Sequence, residues 1–456
     1  MRLIHSSDWH LGHSLHGTSR NREHRAFLSW LLDRIEEEKV QGMILAGDLF
    51  DSANPPVTAL RLWYEFLRDL KERAPGFQLV LIGGNHDSAS RLEAPRELIG
   101  DFGVQVVGGL PRLDSGDLDY DRILIELAGT TDSDSILVAA LPFLRMADLP
   151  RIEGGDQDPI EGVRRIYDQV LAEAAQRRRS GQALLVTGHC YMVAGRISEL
   201  SERKILGGDQ HALPLDLFPE DVDYVALGHL HLAQVVGGRD EVRYSGSPIP
   251  LSLSEKDYPH QVLLLDVDAA SPVRIQALRV PRRIEILRIP QAGAGPLDQV
   301  LDELAALPER EEGATPEDEP MLEVRVRLDA PEPGLRRRIE EVLDGALPEP
   351  PPGAPDDNGP LDGEAGSAEE PKPKRRRKAK KKPRRPRAAR LVKLTIERSG
   401  KGLSLGDEAS VAELREMEIE EVFRKRYAQA HEGEVEERIL ATFRELHSLV
   451  LEEGAE

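Results

Sequence analysis

The sequence predicts an α/β sandwich. Strand-like apolar runs alternate with helix-like stripes over residues 1–270, the later strands are short with hairpin-length links, and five of the runs end in a residue able to bind metal or exchange a proton. The first three end in Asp8-Trp9-His10, Asp48 and Asn85-His86-Asp87; the last two end in His189 and His229-Leu230-His231. In open α/β sheets ligands collect at the C-terminal ends of strands, so these five ends define one expected site.

The expected strands are Leu3–Ser7, Met43–Gly47, Leu79–Gly83, Val104–Val107, Ile136–Leu141, Leu184–Gly188 and Tyr224–Gly228, followed by Val242–Ser245 and Val262–Val267. Phe27, Trp30, Leu31 and Ile35 recur at helical spacing in Asn21–Glu38, as do Ile160, Val163, Ile166, Tyr167, Val170 and Leu171 in Pro159–Gln176. Pro56–Lys71 also reads as a helix.

Beyond residue 273 the pattern changes. Val273–Val280 and Ile284–Ile289 read as strands leading out of a first domain, placed at 1–280. Met321–Leu328 alternates strictly, Gly334–Leu343 is helix-like and Leu391–Glu397 alternates again, giving a small β-α-β unit over 281–400. Residues 348–389 interrupt it. That insert is rich first in Pro, Gly and acids and then in Lys, Arg and Pro, and lacks the apolar residues of a core, so disorder is expected. It reads either as a solvated spacer or as a basic arm for DNA phosphates. Residues 401–456 carry two amphipathic stripes, Val411 to Phe423 and Val435 to Val450, which pack either on the chain's own core or on a partner helix.

The 456 residues include 60 Lys and Arg against 81 Asp and Glu, a net charge of −21 that argues against a nucleic-acid partner, since phosphate contact needs local positive charge. The charge is uneven, however: 13 Lys and Arg and no acids lie between Lys372 and Arg390. The single cysteine, Cys190, excludes an intrachain disulfide and points to the cytoplasm. No run approaches the roughly 18 apolar residues of a membrane span. The start of the chain runs directly into Asp8, leaving no room for a signal peptide.

Side chains two apart on a strand point the same way, so Asp8/His10 and His229/His231 are each expected to aim two ligands at one volume if the extended conformation persists. Carboxylates, imidazoles and the Asn85 amide without thiolate suit Mn²⁺, Fe²⁺ or Zn²⁺ outside a closed structural zinc site. Two cations about 3.5–4 Å apart clamp the attacking and leaving oxygens of a phosphoryl displacement. His86 is the expected proton donor and Asp87 the group orienting its ring. His13, His16 and His24 read as loop or helix-cap residues and Cys190 as a packing residue.

Together the motifs Asp-x-His, Gly-Asp, Gly-Asn-His-Asp, Gly-His and Gly-His-x-His resemble those of the calcineurin-like metallophosphoesterases. The flanks Ser6-Ser7-Asp8-Trp9-His10-Leu11-Gly12, Ala46-Gly47-Asp48-Leu49-Phe50-Asp51 and Tyr244-Ser245-Gly246-Ser247-Pro248, with Glu421-Val422-Phe423 downstream, are similar to those of the bacterial SbcD family. The resemblance implies a four-layer α-β-β-α metallophosphoesterase sandwich, a β-α-β capping domain, and C-terminal helices docked on the SbcC ATPase. It implies two Mn²⁺ ions, one held by Asp8, His10, Asp48 and His231 and the other by Asp48, Asn85, His189 and His229, with His86 as acid. It further implies a homodimer within a heterotetramer, acting as an exonuclease on double-strand DNA ends and an endonuclease on single strands and hairpins, in replication, recombination and repair. The alternatives are a stand-alone enzyme for small phosphodiesters and a DNA-end-tethering scaffold. The basic, Pro-rich insert departs from the family pattern.

Overall fold

The computed structural model describes residues 1–129, 135–150, 158–193, 212–345 and 385–398, and positions 420, 423, 424, 427, 435, 439, 440, 442 and 443. In chain order the sandwich elements are β1 (Arg2–Ser6), α1 (Asn21–Glu37), β2 (Gly42–Ala46), α2 (Val57–Arg73), β3 (Gln78–Ile82), β4 (Val104–Val107), β5 (Leu124–Leu127) and β6 (Ile136–Ala140). They continue with α3 (Pro159–Arg177), β7 (Ala183–His189), β8 (Tyr224–Gly228), β9 (Gln234–Val236), β10 (Arg239–Tyr244), β11 (Gln261–Asp268) and β12 (Ser271–Arg279).

Two six-stranded sheets form, in the orders β12-β11-β1-β2-β3-β4 and β9-β10-β8-β7-β6-β5. The central strands are parallel: β1 on β2, β2 on β3 and β3 on β4 in the first sheet, β6 on β7, β7 on β8 and β8 on β10 in the second. Buried on both faces, they read as unbroken apolar runs such as Gly42-Met43-Ile44-Leu45-Ala46.

The two-residue period of a strand sorts its side chains into layers. Ile4, Met43, Leu45, Leu79 and Leu81 face a core shared with Phe27, Leu31, Trp63 and Phe66 of α1 and α2. Leu3, Ile44, Ala46, Val80 and Ile82 face the other way, against Val138, Leu185, Tyr224 and Ala226 of the second sheet. Leu184, Val186, Val225 and Leu227 point outward onto Val163, Ile166, Tyr167 and Val170 of α3. The order is α-β-β-α, as the resemblance implies. Each fully buried aliphatic side chain contributes about 1.5–3 kcal/mol. The start of α3 is fixed locally: Asp158 accepts from Ile160 N at 2.9 Å and Pro159 fills the first helical position.

The chain divides into two compact units: 1–288 with 307–323 and 385–393, and 289–306 with 324–384 and 394–456. The boundary therefore differs from the expected 281–400 block, because three segments of that block, 281–288, 307–323 and 385–393, fold with the sandwich. Within the first unit, Ile284, Ile286 and Met321 share a cluster with Leu15 and Leu253. Arg387 and Ala389, expected within the disordered 348–389 insert, are buried. They are held by Ala388 N→Pro308 O at 2.8 Å and Arg310 N→Pro386 O at 2.7 Å. The rest of the insert, as far as residue 384, lies outside the described residues. Ser271–Arg279 does not lead out of the sandwich; it pairs antiparallel with β11 as an exposed edge strand.

In the second unit Gly295–Pro296 pairs in parallel with Val326–Arg327, and helices α4 (Leu297–Ala305) and α5 (Leu335–Leu343) pack together. The C-terminal helices expected over 401–456 lie mostly outside the described residues; among those described, Phe423 and Phe443 stack at 4.1 Å. No helix among the described residues is long and apolar enough to cross a membrane.

Candidate metal centre

After β1 the chain does not stay extended. Asp8 and His10 adopt left-handed backbone, at φ 54° and 45°, as do Asp48 at 51° and His229 at 100°. The expected strand-like projection of Asp8/His10 and His229/His231 is thus corrected: these pairs converge through turns. Side-chain-bearing residues in such conformations cost about 1–3 kcal/mol each and persist only where the surroundings enforce them. Here Asp8 N and His10 N each donate at 3.0 Å, to Gly47 O and Asp48 O. Between them Trp9 is buried, its Nε1 donating to Ser6 Oγ at 2.8 Å and its ring meeting Phe27 and Phe66 edge-on. A core side chain thereby pins the loop that carries two candidate ligands.

Two motif glycines are sterically required. A Cβ on Gly47, which sits at φ +88°, would stand 2.3 Å from His189 Nδ1, and one on Gly84 would stand 2.1 Å from Asp48 Oδ1.

The structure brings all seven candidate ligands together. Ligand atoms of Asp8, His10 and His231 lie within 4.8 Å of one another, as do those of Asp8, Asp48 and His189, and of His10, Asp48 and His86. Asn85 Oδ1 is 2.9 Å from His189 Nε2 and 3.0 Å from His229 Nδ1. Oδ2 of Asp48 faces both groups, 3.5 Å from His10 Nε2 and 3.3 Å from His189 Nε2, while its Oδ1 accepts from His86 N at 2.9 Å.

Around these residues stand partners that sequence reasoning missed. Asp51 Oδ1 lies 3.3 Å from His10 Nδ1 and 2.9 Å from His13 Nδ1, and Asp51 O accepts from His86 Nδ1 at 2.8 Å. Buried Glu255 sits 3.0 Å from His231 Nδ1 and accepts from Leu251 N at 2.8 Å. His189 Nδ1 instead donates to a neutral carbonyl, Ala46 O, at 2.9 Å. Asp51 is visible at the end of the stretch that flanks the Gly-Asp motif, but nothing in the spacing of Glu255 marks it.

The electrostatics is that of a site short of positive charge. Burial resists ionisation of Asp48, yet His189 and His10 hold its carboxyl well below the usual range. Burial lowers the His189 ring, but Asp48 outweighs it and the pKa rises to about 9. His229 is driven well below its ordinary value, first by burial and then by His189.

Asp87, expected to orient His86, does not. Its buried carboxylate accepts from Leu49 N, Phe50 N and Gly84 N at 3.0–3.1 Å, tying the loop after β2 to the end of β3. Burial and the Asp48 charge push its pKa up to about 6. The His86 ring is oriented by the Asp51 carbonyl instead. His24 lies within α1, buried, with Nε2 at 2.9 Å from Trp9 O; His13 bonds Asp51 and Leu251 O; His16 is exposed in a turn at φ 48°.

The residues fit divalent cations. His10 Nε2 is buried without a hydrogen-bond partner among the described residues, facing the Asp48 oxygen shared with His189. The donors are oxygen and imidazole, which open transition-metal sites use.

Fold and site define a phosphoesterase. Residues 1–233 match the calcineurin-like phosphoesterase family, to which the chain belongs, and 280–350 match the type 5 capsule protein repressor C-terminal domain. Within that class it is a member of the SbcD family. It is 41% identical to the SbcD component of the SbcCD nuclease of Rhodobacter capsulatus over 76% of this chain and 85% of the relative. Identity is 34% to the Escherichia coli K12 protein of the same name, over 62% and 68%, and 34% to that of Bacillus subtilis, over 58% and 66%. The class implies divalent cations.

Proposed function

We propose that this chain is the nuclease component of an SbcCD-type complex, hydrolysing DNA phosphodiesters at double-strand ends and in single strands and hairpins, with two Mn²⁺ ions as cofactor. The carrying observation is the Asp48 carboxylate, whose Oδ2 faces His10 and His189 from two sides. Asp8, His10, Asp48 and His231 would hold one cation, and Asp48, Asn85, His189 and His229 the other. Bound there, the cations supply Lewis-acid charge to a phosphoester's attacking and leaving oxygens.

The protein's own groups do the rest. Asp51 O only accepts, so His86 Nδ1 carries the proton in that bond and Nε2 is left to exchange a proton with the substrate. Backbone hydrogen bonds and the Trp9 anchor hold the ligand loops in their strained conformations before substrate arrives, a form of preorganisation.

The relatives' shared name supports an SbcC-type ATPase as partner, the amphipathic stripes of 401–456 support docking there, and the lone cysteine supports a cytoplasmic setting. The chain acts as a homodimer within that complex. The test is purification of the full-length chain with its SbcC partner, followed by DNA cleavage assays with and without ATP, Mn²⁺ and chelator. Mn²⁺-dependent cleavage is expected. Hydrolysis of a small phosphodiester such as bis(p-nitrophenyl) phosphate with no DNA cleavage would overturn the reading. Deleting 401–456 is expected to abolish co-purification with the partner; a complex that survives the deletion removes the docking assignment.

A further inference from the structure

We infer that the two cation positions are unequal, and that Glu255 and Asp51 make the one formed by Asp8, His10 and His231 the tighter. The inference rests on the two-cation reading above. It starts from what stands behind each ligand, not from the ligands themselves.

At the Asp8 position both imidazoles are backed by carboxylates. His231 Nδ1 faces Glu255 Oε1 at 3.0 Å, and His10 Nδ1 faces Asp51 Oδ1 at 3.3 Å. A carboxylate at Nδ1 fixes the tautomer that leaves Nε2 as the ligating nitrogen, and adds charge behind it. At the Asn85 position His189 is backed by the uncharged Ala46 carbonyl.

Counting charge sharpens the contrast. The Asp8 position has Asp8 and the shared Asp48 beside it, with Asp51 and Glu255 behind its two imidazoles. The Asn85 position has the shared Asp48, a neutral amide and two imidazoles, with Asp8 within 4.8 Å of His189 and a carbonyl, not a carboxylate, behind that ring. In a buried site, where charges are weakly screened, such a difference favours a divalent cation strongly at the first position. Asp51 Oδ1 is shared with His13, so wholly buried Glu255 carries the larger part. Glu255 is itself held by Leu251 N at 2.8 Å and Ser252 Oγ at 3.1 Å, which keeps it at His231 when the site is empty. Both residues act through a ligand and are positioning residues.

The test is Mn²⁺ titration of the full-length chain, stripped with chelator and dialysed, followed by calorimetry and by electron paramagnetic resonance of free Mn²⁺. Two binding events at least about tenfold apart are expected. Glu255→Gln keeps a hydrogen-bond acceptor at His231 but removes the charge. It should weaken the tighter event by roughly 10- to 100-fold and leave the weaker one unchanged. Asp51→Asn should act in the same direction, less strongly, and Glu255→Asp should restore part of the affinity. Asn85→Ala should remove the weaker event alone. Circular dichroism and a melting curve on each variant separate these effects from misfolding. Two events of equal affinity, or a Glu255→Gln effect on the weaker event, would overturn the inference while leaving the two-cation reading intact. Absence of any Mn²⁺ uptake by the unsubstituted chain would overturn both.

Discussion

Oδ2 of Asp48 stands 3.5 Å from Nε2 of His10, and that buried nitrogen has no hydrogen-bond partner among the described residues. An imidazole nitrogen and a carboxylate oxygen that face each other without bonding leave a gap of the kind a cation closes. Asp48→Asn removes the charge and keeps the shape. Bound Mn²⁺, measured by elemental analysis after gel filtration, is expected to fall below one ion per chain, with the fold retained by circular dichroism. Full retention of two ions would show that Asp48 is not a shared ligand.

His86 gives a different signature. A general acid contributes about 10²–10⁴-fold, so His86→Ala is expected to lower kcat for DNA cleavage by that order while metal content stays near two ions. Loss of both ions from the variant would make His86 structural.

Asp87→Asn is expected to cost stability and to affect turnover little. Its carboxylate accepts three backbone N–H groups, and bonds to a charged acceptor contribute about 1.5–3 kcal/mol each. An amide keeps one acceptor oxygen and turns a donor either toward Phe50 N or toward Leu49 N and Gly84 N. Chemical denaturation should register the loss; a variant as stable as the parent but inactive would return Asp87 to the catalytic machinery.

Stability should fall as the pH drops below neutrality, and two histidines away from the ligand set give the sign. Burial lowers His5, bonded to Tyr224 Oη at 2.8 Å, and His24, bonded to Trp9 O, each to about 3. The unfolded chain takes up these protons near pH 6.5 while the folded chain resists them until about 3. Their contribution is therefore whole above pH 6.5 and is lost progressively below it, by at most about 1.4 kcal/mol per pH unit for each histidine. Urea denaturation at pH 7.5 and 5.5 reads the difference, and His24→Gln should flatten it. A stability that rises between those two values would contradict the assignment.

Cys190 follows His189 but is sealed under α3, and burial pushes its thiol up to about 12. A thiol reagent is expected to leave it unlabelled in the native protein and to label it fully in denaturant. Rapid native labelling would place the thiol at the surface.

The identities at the five strand ends are legible in the sequence because buried parallel strands are short, continuous and apolar, so whatever follows them stands out. Their conformation is not. The spacing of Asp8 and His10 suggests a strand, whereas left-handed turns, held by hydrogen bonds to the loop just past β2, aim the two side chains. Asp87 sits in a motif that suggests chemistry, but its carboxylate holds backbone. Glu255 lies 24 residues beyond His231 in a short turn, and only three dimensions bring it to that ring. The edge strand β12 escapes correct placement because its largely exposed residues carry no burial signal.

Asp8, Asp48 and Asn85 follow strands of the first sheet, while His189 and His229 stand at strand ends of the second, and the His229 N–H already donates to Asp8 across 221 residues of chain. A cation held as proposed among these residues would be a rivet through the seam of the sandwich. Closing so long a loop takes freedom mainly from the unfolded chain, so loading the site would stiffen the join between the sheets and chelation would slacken it. The loaded protein should resist heat and proteases along that seam, and the stripped protein should open there first.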